Sequence, residues 1–307
     1  MKKVVFFGYK YFCSKLVNKL REHDNDNQYF FVDTNNFLGK MLAVYKILTS
    51  DIIFIIGGTI SKSKIIDLAL IFNKKVFIEW VGTDVLIARE NYDMCNFNSK
   101  YIIKCQHLCE VDWIRNELRN IGINASICDI VTIDDNKEYN KRDINCDKIT
   151  VLIYIAKNRE EFYGIDLILK LAELYPKINF RICGTDGNNY KQLNNVLFLG
   201  WVENMEDEYD NCDIYMRLVK HDGLAFSVIE ALSKGKWVIY SYPFDYVKTY
   251  KDFNELKIVF DDLLEKCYEG QLNTSAVNFI LKKYNKKHVL TNFINIITRE
   301  CKNRNCL

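Results

Sequence analysis

Short apolar runs separated by stretches of helical spacing recur along nearly the whole 307-residue chain, and this alternation restricts its fold more than any other feature. In the first half the runs, rich in Val, Ile and Phe, cover residues 4–8, 29–33, 51–57, 75–80, 101–107 and 125–131. Between them, Phe12, Leu16 and Leu20, then Ile65, Leu68 and Ile71, then Trp113, Leu118 and Ile121 are spaced to put an apolar face on a helix. A strand that is apolar at every position must be covered on both faces. Helices alternating with such strands therefore predict a parallel, Rossmann-like sheet wrapped on both sides.

Residues 134–148, DDNKEYNKRDINCDK, interrupt the pattern with charge and few large apolar side chains, which predicts a linker. The alternation then resumes. Strands are expected at 149–156, 178–184, 196–200, 213–219, 237–240 and 256–260, and helices at 165–174, 205–209 and 225–234. From Ser275 onward the spacing is helical, with a bend at Tyr284-Asn285 and a last helix to about Arg299. The expected organisation is a Rossmann-like domain over 1–133, the linker 134–148, a second Rossmann-like domain over 149–285, and a C-terminal helix over 286–307 that packs back on the first domain. The fold class is α/β, two Rossmann-like domains facing across an interdomain cleft. Such a length also exceeds one average core.

With 42 basic and 40 acidic residues, and neither half polarised, no nucleic-acid surface is expected. The 11 cysteines fall mostly inside apolar strands, as Cys128, Cys183 and Cys212 do. Neither Cys105 with Cys109 nor Cys301 with Cys306 has a second pair at zinc spacing, so reduced, buried thiols are expected. The opening MKKVVFFGYK is broken by Lys10 before a signal core can form, and no run approaches a membrane span. A cytoplasmic protein is expected, with peripheral contact at the inner face of the membrane as a further possibility. The helix carrying Lys15, Lys19 and Arg21 could touch anionic lipid, although most such helices cover their own sheet.

Ligands of open parallel sheets bind beyond the carboxyl ends of the strands. In the second half that rule selects Lys157 to Arg159, Thr185-Asp186, Trp201-Val202 and Arg217 to Gly223; in the first it selects Gly8-Tyr9, Gly57-Gly58, Val81 to Asp84 and the region after His107. Residues 212–241, CDIYMRLVKHDGLAFSVIEALSKGKWVIYS, are the richest of these segments. A strand there runs into a basic-acidic turn and then a helix, whose N-terminal N–H groups favour an anion. Arg217 and Lys220 add positive charge; Asp222 and Glu230 add carboxylates suited to sugar hydroxyls. Phosphate and polyol recognition together suggest a sugar nucleotide. Simpler readings exist: Asp222-Gly223 as an ordinary turn, Ser227-x-x-Glu230 as a capping box, His107 as a core histidine, and His221 as an exposed one.

These residues carry a resemblance. Asp222-Gly223-Leu224-Ala225, then Glu230-Ala231-Leu232-Ser233-Lys234-Gly235 and Trp237-Val238-Ile239, resemble the donor domain of GT-B glycosyltransferases, especially the retaining family four (glycosyl transferases group 1). Asn195-Val196-Leu197-Phe198-Leu199-Gly200-Trp201-Val202 and Cys212-Asp213-Ile214 match flanking segments, and Trp80-Val81-Gly82-Thr83-Asp84 resembles a loop of some members. Two positions depart from the family: Asp222 stands where Glu is usual, and Tyr163 before Gly164 where Lys is usual.

The resemblance implies a hexosyltransferase moving a sugar from a UDP- or GDP-linked donor to an acceptor hydroxyl on a saccharide, lipid-linked sugar or protein, with retention. Asp222 and Glu230 would be catalytic, Glu230 holding the ribose and Asp222 the transferred sugar. Lys157, Arg159, Val202, Arg217, Lys220, Gly223, Leu224 and Ala225 would bind the donor, the base lying near Trp201-Val202. No Asp-x-Asp metal motif is present, so metal independence and no cofactor beyond the donor are expected. Cell-surface polysaccharide synthesis is the expected setting. The alternatives are a non-hydrolysing sugar-nucleotide epimerase and a catalytically silent GT-B subunit that binds a partner transferase.

Overall fold

The computed structural model describes residues 1–133 and 148–299, and the expected linker lies, apart from Lys148, outside the described residues. The chain divides into two compact units, 1–132 with 286–307, and 133–285.

Unit 1 runs β1 (Lys3–Gly8), α1 (Lys10–His23), β2 (Gln28–Phe31), α2 (Phe37–Thr49), β3 (Ile52–Ile56), α3 (Lys64–Ile71), β4 (Lys75–Trp80), α4 (Thr83–Asp93), α5 (Ser99–Lys104), β5 (Gln106–Cys109), α6 (Asp112–Asn120) and β6 (Ala125–Ile127). Its six strands are all parallel, in the order β2-β1-β3-β4-β5-β6. α12 (Lys286–Thr298) belongs to this unit, burying Leu290, Phe293 and Ile297 against Cys13, Leu16 and Leu20 of α1 and Phe6 and Phe54 of the sheet. The run 101–107, expected as one strand, is divided: Asn98 caps α5 by accepting the Lys100 N–H, and pairing begins only at Gln106.

Unit 2 runs β7 (Thr150–Tyr154), a 3-10 turn (Glu160–Tyr163), α7 (Ile165–Leu174), β8 (Asn179–Cys183), β9 (Val196–Gly200), α8 (Met205–Asp210), β10 (Ile214–Arg217), α9 (Phe226–Ser233), β11 (Trp237–Tyr240), α10 (Phe253–Tyr268) and α11 (Thr274–Lys283). Five parallel strands are ordered β11-β10-β7-β8-β9. The sixth strand expected at 256–260 is instead part of α10. Asp252 caps that helix by accepting the Asn254 and Glu255 N–H groups, and Leu256, Phe260, Leu263, Leu264 and Cys267 form its buried stripe. Five residues of apolar sequence fit either period, and the cap decides. Among the described residues eight cysteines are free, and all but Cys95 are buried; burial pushes the Cys13 and Cys212 thiols up to about 12.

One core position in unit 1 opposes stability. Glu79, near the end of β4, is fully buried, and neither carboxyl oxygen has a hydrogen-bond partner. Burial, reinforced by Glu110, Asp84 and Asp129, holds its pKa well above the usual carboxylate range. Above about pH 4.5 the unfolded chain releases this proton while the folded chain keeps it, so the unfolded state gains with rising pH. Glu79→Met is therefore expected to stabilise the protein by about 1–3 kcal/mol at pH 8 and by less at pH 5, measured by urea unfolding.

Candidate active site

The order of strands in unit 2 locates a crevice. β7 continues through α7 to β8 on one side, whereas β10 and β11 lie on its other side. The connections leaving the carboxyl ends of β7 and β10 therefore diverge, and a ligand can enter between them. The two loops are tied at their base. The Lys220 N–H donates to the Phe162 carbonyl at 2.9 Å. Gly164, at φ 70°, lies so close to β10 that a Cβ would sit 2.5 Å from the Leu218 carbonyl oxygen. This contact gives a physical reason for glycine after Tyr163.

The acidic turn is anchored from beneath. Arg217 ends β10 in register with Tyr240 of β11. The Arg217 Nε donates to Asp222 Oδ2 at 2.5 Å; the Tyr240 hydroxyl donates to the same oxygen at 3.1 Å and to the Gly223 carbonyl at 2.8 Å. The Arg217 and Asp222 side chains are only 10% and 14% exposed. Burial opposes the guanidinium charge, but Asp222 outweighs it and holds Arg217 well above its ordinary pKa. The Tyr163 ring lies 5.3 Å from the Arg217 guanidinium, so the aromatic residue at the family's lysine position stacks on a cation and adds none. Arg217 and Asp222, expected as separate phosphate and sugar ligands, are thus brought together as an ion pair.

Glu230 stands just past the first turn of α9. Its Oε2 accepts from the Tyr209 hydroxyl at 3.1 Å, and it is half-buried. α9 begins at Phe226 with Ala225 at the N-cap and no side-chain cap, so Ser227 lies inside the helix and no capping box forms. The structural alternative for Glu230 thereby loses its basis. Tyr209 comes from α8 and is itself buried, its pKa raised by burial, Tyr215 and the Glu230 carboxylate. Gly223, Leu224 and Ala225 are buried between the turn and the helix start.

The remaining candidates are dispersed around the crevice. Lys220 is exposed. Lys157 is exposed and pairs with Asp186 at 3.0 Å, and Arg159 stacks on Phe162 at 4.3 Å. Val202 is half-buried beyond β9, next to Trp201, which is 78% exposed. His221 is buried and packs edge-on against Tyr242, contrary to the expected exposure; Tyr242 and Tyr240 line that side of the turn. Tyr209 and Tyr240 are missed by the sequence reading, where their signal is only that of tyrosines near strand and helix ends, whereas Tyr163 stands out there as the departure from the family's lysine.

At the corresponding edge of unit 1, Gly8 adopts φ 115° and would clash with the Ile56 carbonyl if it bore a Cβ, at 1.8 Å. Asp84 is buried and accepts N–H bonds from Gly58 at 2.6 Å, Gly82 at 2.8 Å, Val85 at 3.1 Å and Val81 at 3.2 Å, locking the turn that follows β4. His107 is a core histidine. Its Nδ1 accepts from the Trp80 indole at 3.1 Å, Nε2 lies 3.2 Å from the Tyr101 carbonyl, and burial lowers its pKa.

Residues 135–261 match the family described as Glycosyl transferases group 1. No curated protein matches the sequence significantly. Among solved structures the chain is similar to HepE of Anabaena, solved in complex with UDP and glucose, with TM-score 0.70 and 11% identity over 97% of this chain and 100% of that one. It is similar to sucrose-phosphate synthase from Thermosynechococcus elongatus, with TM-score 0.67 and 10% identity over 96% and 98%. It is also similar to S. aureus TarM, solved as a mutant with Fondaparinux, alpha-GlcNAc-glycerol and UDP, with TM-score 0.60 and 14% identity over 85% of this chain and 59% of that one. Residues 135–261 thus carry the match to glycosyl transferases group 1, and the α/β fold of the chain, with its two parallel sheets, is that of its GT-B glycosyltransferase neighbours.

Proposed function

We propose that the protein transfers a hexose-type sugar from a uridine-diphosphate donor to an acceptor hydroxyl, with retention and without a metal, in cell-surface polysaccharide or glycoconjugate synthesis. The observation that carries this reading is the anchored turn 222–225 leading into α9 and Glu230 at the crevice of a group 1 domain. The UDP bound by HepE and TarM supports uridine over guanosine. Glu230 would accept the ribose hydroxyls, and Trp201 and Val202 would frame the base. Asp222 would bind the transferred sugar from the turn that Arg217 and Tyr240 anchor.

Departure of the diphosphate builds negative charge, which preorganised donors stabilise most where it develops. The N-terminus of α9, the N–H groups of 223–225, and Lys220 or Arg159 would supply that stabilisation. Charge-assisted hydrogen bonds contribute about 1.5–3 kcal/mol each, and a helix end up to ~2. Their sum is comparable to what a divalent cation supplies elsewhere, which is the basis for proposing metal independence.

UDP at a hundredfold excess over its Kd is expected to stabilise the protein by about 2.7 kcal/mol, read as a thermal shift equal with chelator and with magnesium. A shift given only by GDP would overturn the choice of base. Transfer abolished by chelator and restored by magnesium would overturn the charge argument. The Arg217–Asp222 pair favours one second reading, a donor-binding subunit without turnover. Hydrolysis or transfer of UDP-glucose excludes it.

A further inference from the structure

The side chain assigned to the ribose, Glu230, is half-buried, and its carboxylate accepts a bond from the Tyr209 hydroxyl at 3.1 Å. The last torsion of a glutamate, which turns the carboxylate plane, is soft. Two neighbouring hydroxyls are gripped together only by a carboxylate whose plane faces both. A Glu230 free to rotate would lose that freedom each time a nucleotide bound, at a cost in affinity. A donor held by the fold removes the freedom beforehand.

Tyr209 has little freedom of its own. It is 2% exposed on α8, with its ring edge-on to that of Tyr215 on β10 and the centroids 5.8 Å apart. Burial, Tyr215 and Glu230 keep its phenol protonated, so it stands as a donor. α8 has six residues, too few to hold its place unaided, and ion pairs brace it from two directions. Arg181 of β8 meets both carboxylate oxygens of Glu208, each at 2.8 Å. Lys234, one turn beyond Glu230 at the end of α9, meets Glu206 at 2.8 Å and Asp210 at 2.5 Å. The start of α8 follows closely on Trp201 and Val202, and Asn204 caps it by accepting the Glu206 N–H at 3.1 Å. One short helix thus joins the segment assigned to the base to the carboxylate assigned to the ribose.

We propose that Tyr209 is a positioning residue of the nucleotide site, turning the Glu230 carboxylate toward the ribose hydroxyls before the nucleotide binds, with α8 as its brace. Tyr209 acts through Glu230 rather than on the ligand. The inference rests on the reading of Glu230 as the ribose ligand and adds the residue that orients it.

Calorimetric titration of the full chain with UDP, and with a dideoxyribose analogue of UDP that lacks both hydroxyls, tests it. Tyr209→Phe keeps the ring and its packing on Tyr215 and removes only the hydroxyl, and a thermal melt checks the fold. This variant is expected to bind UDP about five- to tenfold more weakly and the dideoxy analogue within about twofold of the wild type. In a Glu230→Ala background no carboxylate is left to turn, so adding Tyr209→Phe should change UDP affinity by less than about twofold. Unchanged UDP affinity in Tyr209→Phe would overturn the proposal. Equal losses for UDP and its analogue, or the same loss with and without the Glu230 carboxylate, would make Tyr209 a packing residue and also overturn it. Those failures leave the ribose reading standing as long as Glu230→Ala itself weakens UDP and spares the analogue. If Glu230→Ala binds UDP as the wild type does, the ribose reading falls and the positioning role falls with it.

Discussion

Replacing Glu230 by glutamine is expected to weaken UDP binding by one to two orders of magnitude while leaving the fold intact. The carboxylate is half-buried, and Tyr209 already donates to Oε2 at 3.1 Å, so glutamine can keep that bond through its own carbonyl. Only the charge is lost. Bonds to a charged acceptor contribute about 1.5–3 kcal/mol, against roughly 0.5–1.5 for a neutral pair. Two ribose hydroxyls therefore lose about 1.5–3 kcal/mol together, which is roughly ten- to a hundredfold in Kd. Calorimetric titration with UDP reads this directly. The helix should not suffer, because Ala225 is the N-cap and Glu230 takes no part in capping α9. Unchanged UDP affinity in a folded Glu230→Gln variant would remove the ribose role.

The strands at Lys75–Trp80, Val196–Gly200 and Trp237–Tyr240 were legible because continuous apolar sequence between polar segments permits few other structures. The carboxyl-end rule likewise points to the loops after β7 and β10 from the sequence alone. It could not rank them, because the crevice arises from strand order, a long-range property. The pairing of Arg217 with Asp222 was hidden for a related reason. Five residues apart on a turn, the two could equally have faced solvent separately, and what unites them is the anchoring of the turn by Tyr240 on the neighbouring strand. The Tyr209–Glu230 bond joins α8 to α9 across β10. Helix α2 was unread for the opposite reason. Apolar on nearly every side, it lacks the polar stripe by which helical periodicity is recognised.

Removing the Asp222 carboxylate is expected to cost far more than an exposed charge would. In Asp222→Ala the Arg217 guanidinium stays buried at the end of β10 without its counter-ion, and the Tyr240 hydroxyl keeps only the Gly223 carbonyl. Breaking one side of a buried pair costs about 3–5 kcal/mol, roughly 6–20 °C in Tm for a protein of this size. Arg217→Met should cost a similar amount by stranding the carboxylate. The double variant Arg217→Met with Asp222→Asn should recover most of the loss, since no buried charge then lacks a partner and the Asn carbonyl can still accept from Tyr240. Thermal melts of the two single variants and the double variant give the coupling directly. Kinetics of the recovered double variant then separate two roles that the Asp222→Ala variant confounds. If Asp222 also grips the transferred sugar, the double variant binds UDP nearly as well as the wild type but transfers sugar at least about tenfold more slowly, because the charge-assisted bond to the sugar is gone. If transfer returns together with stability, Asp222 only shapes the turn, and the developing charge is met by backbone N–H groups and the start of α9.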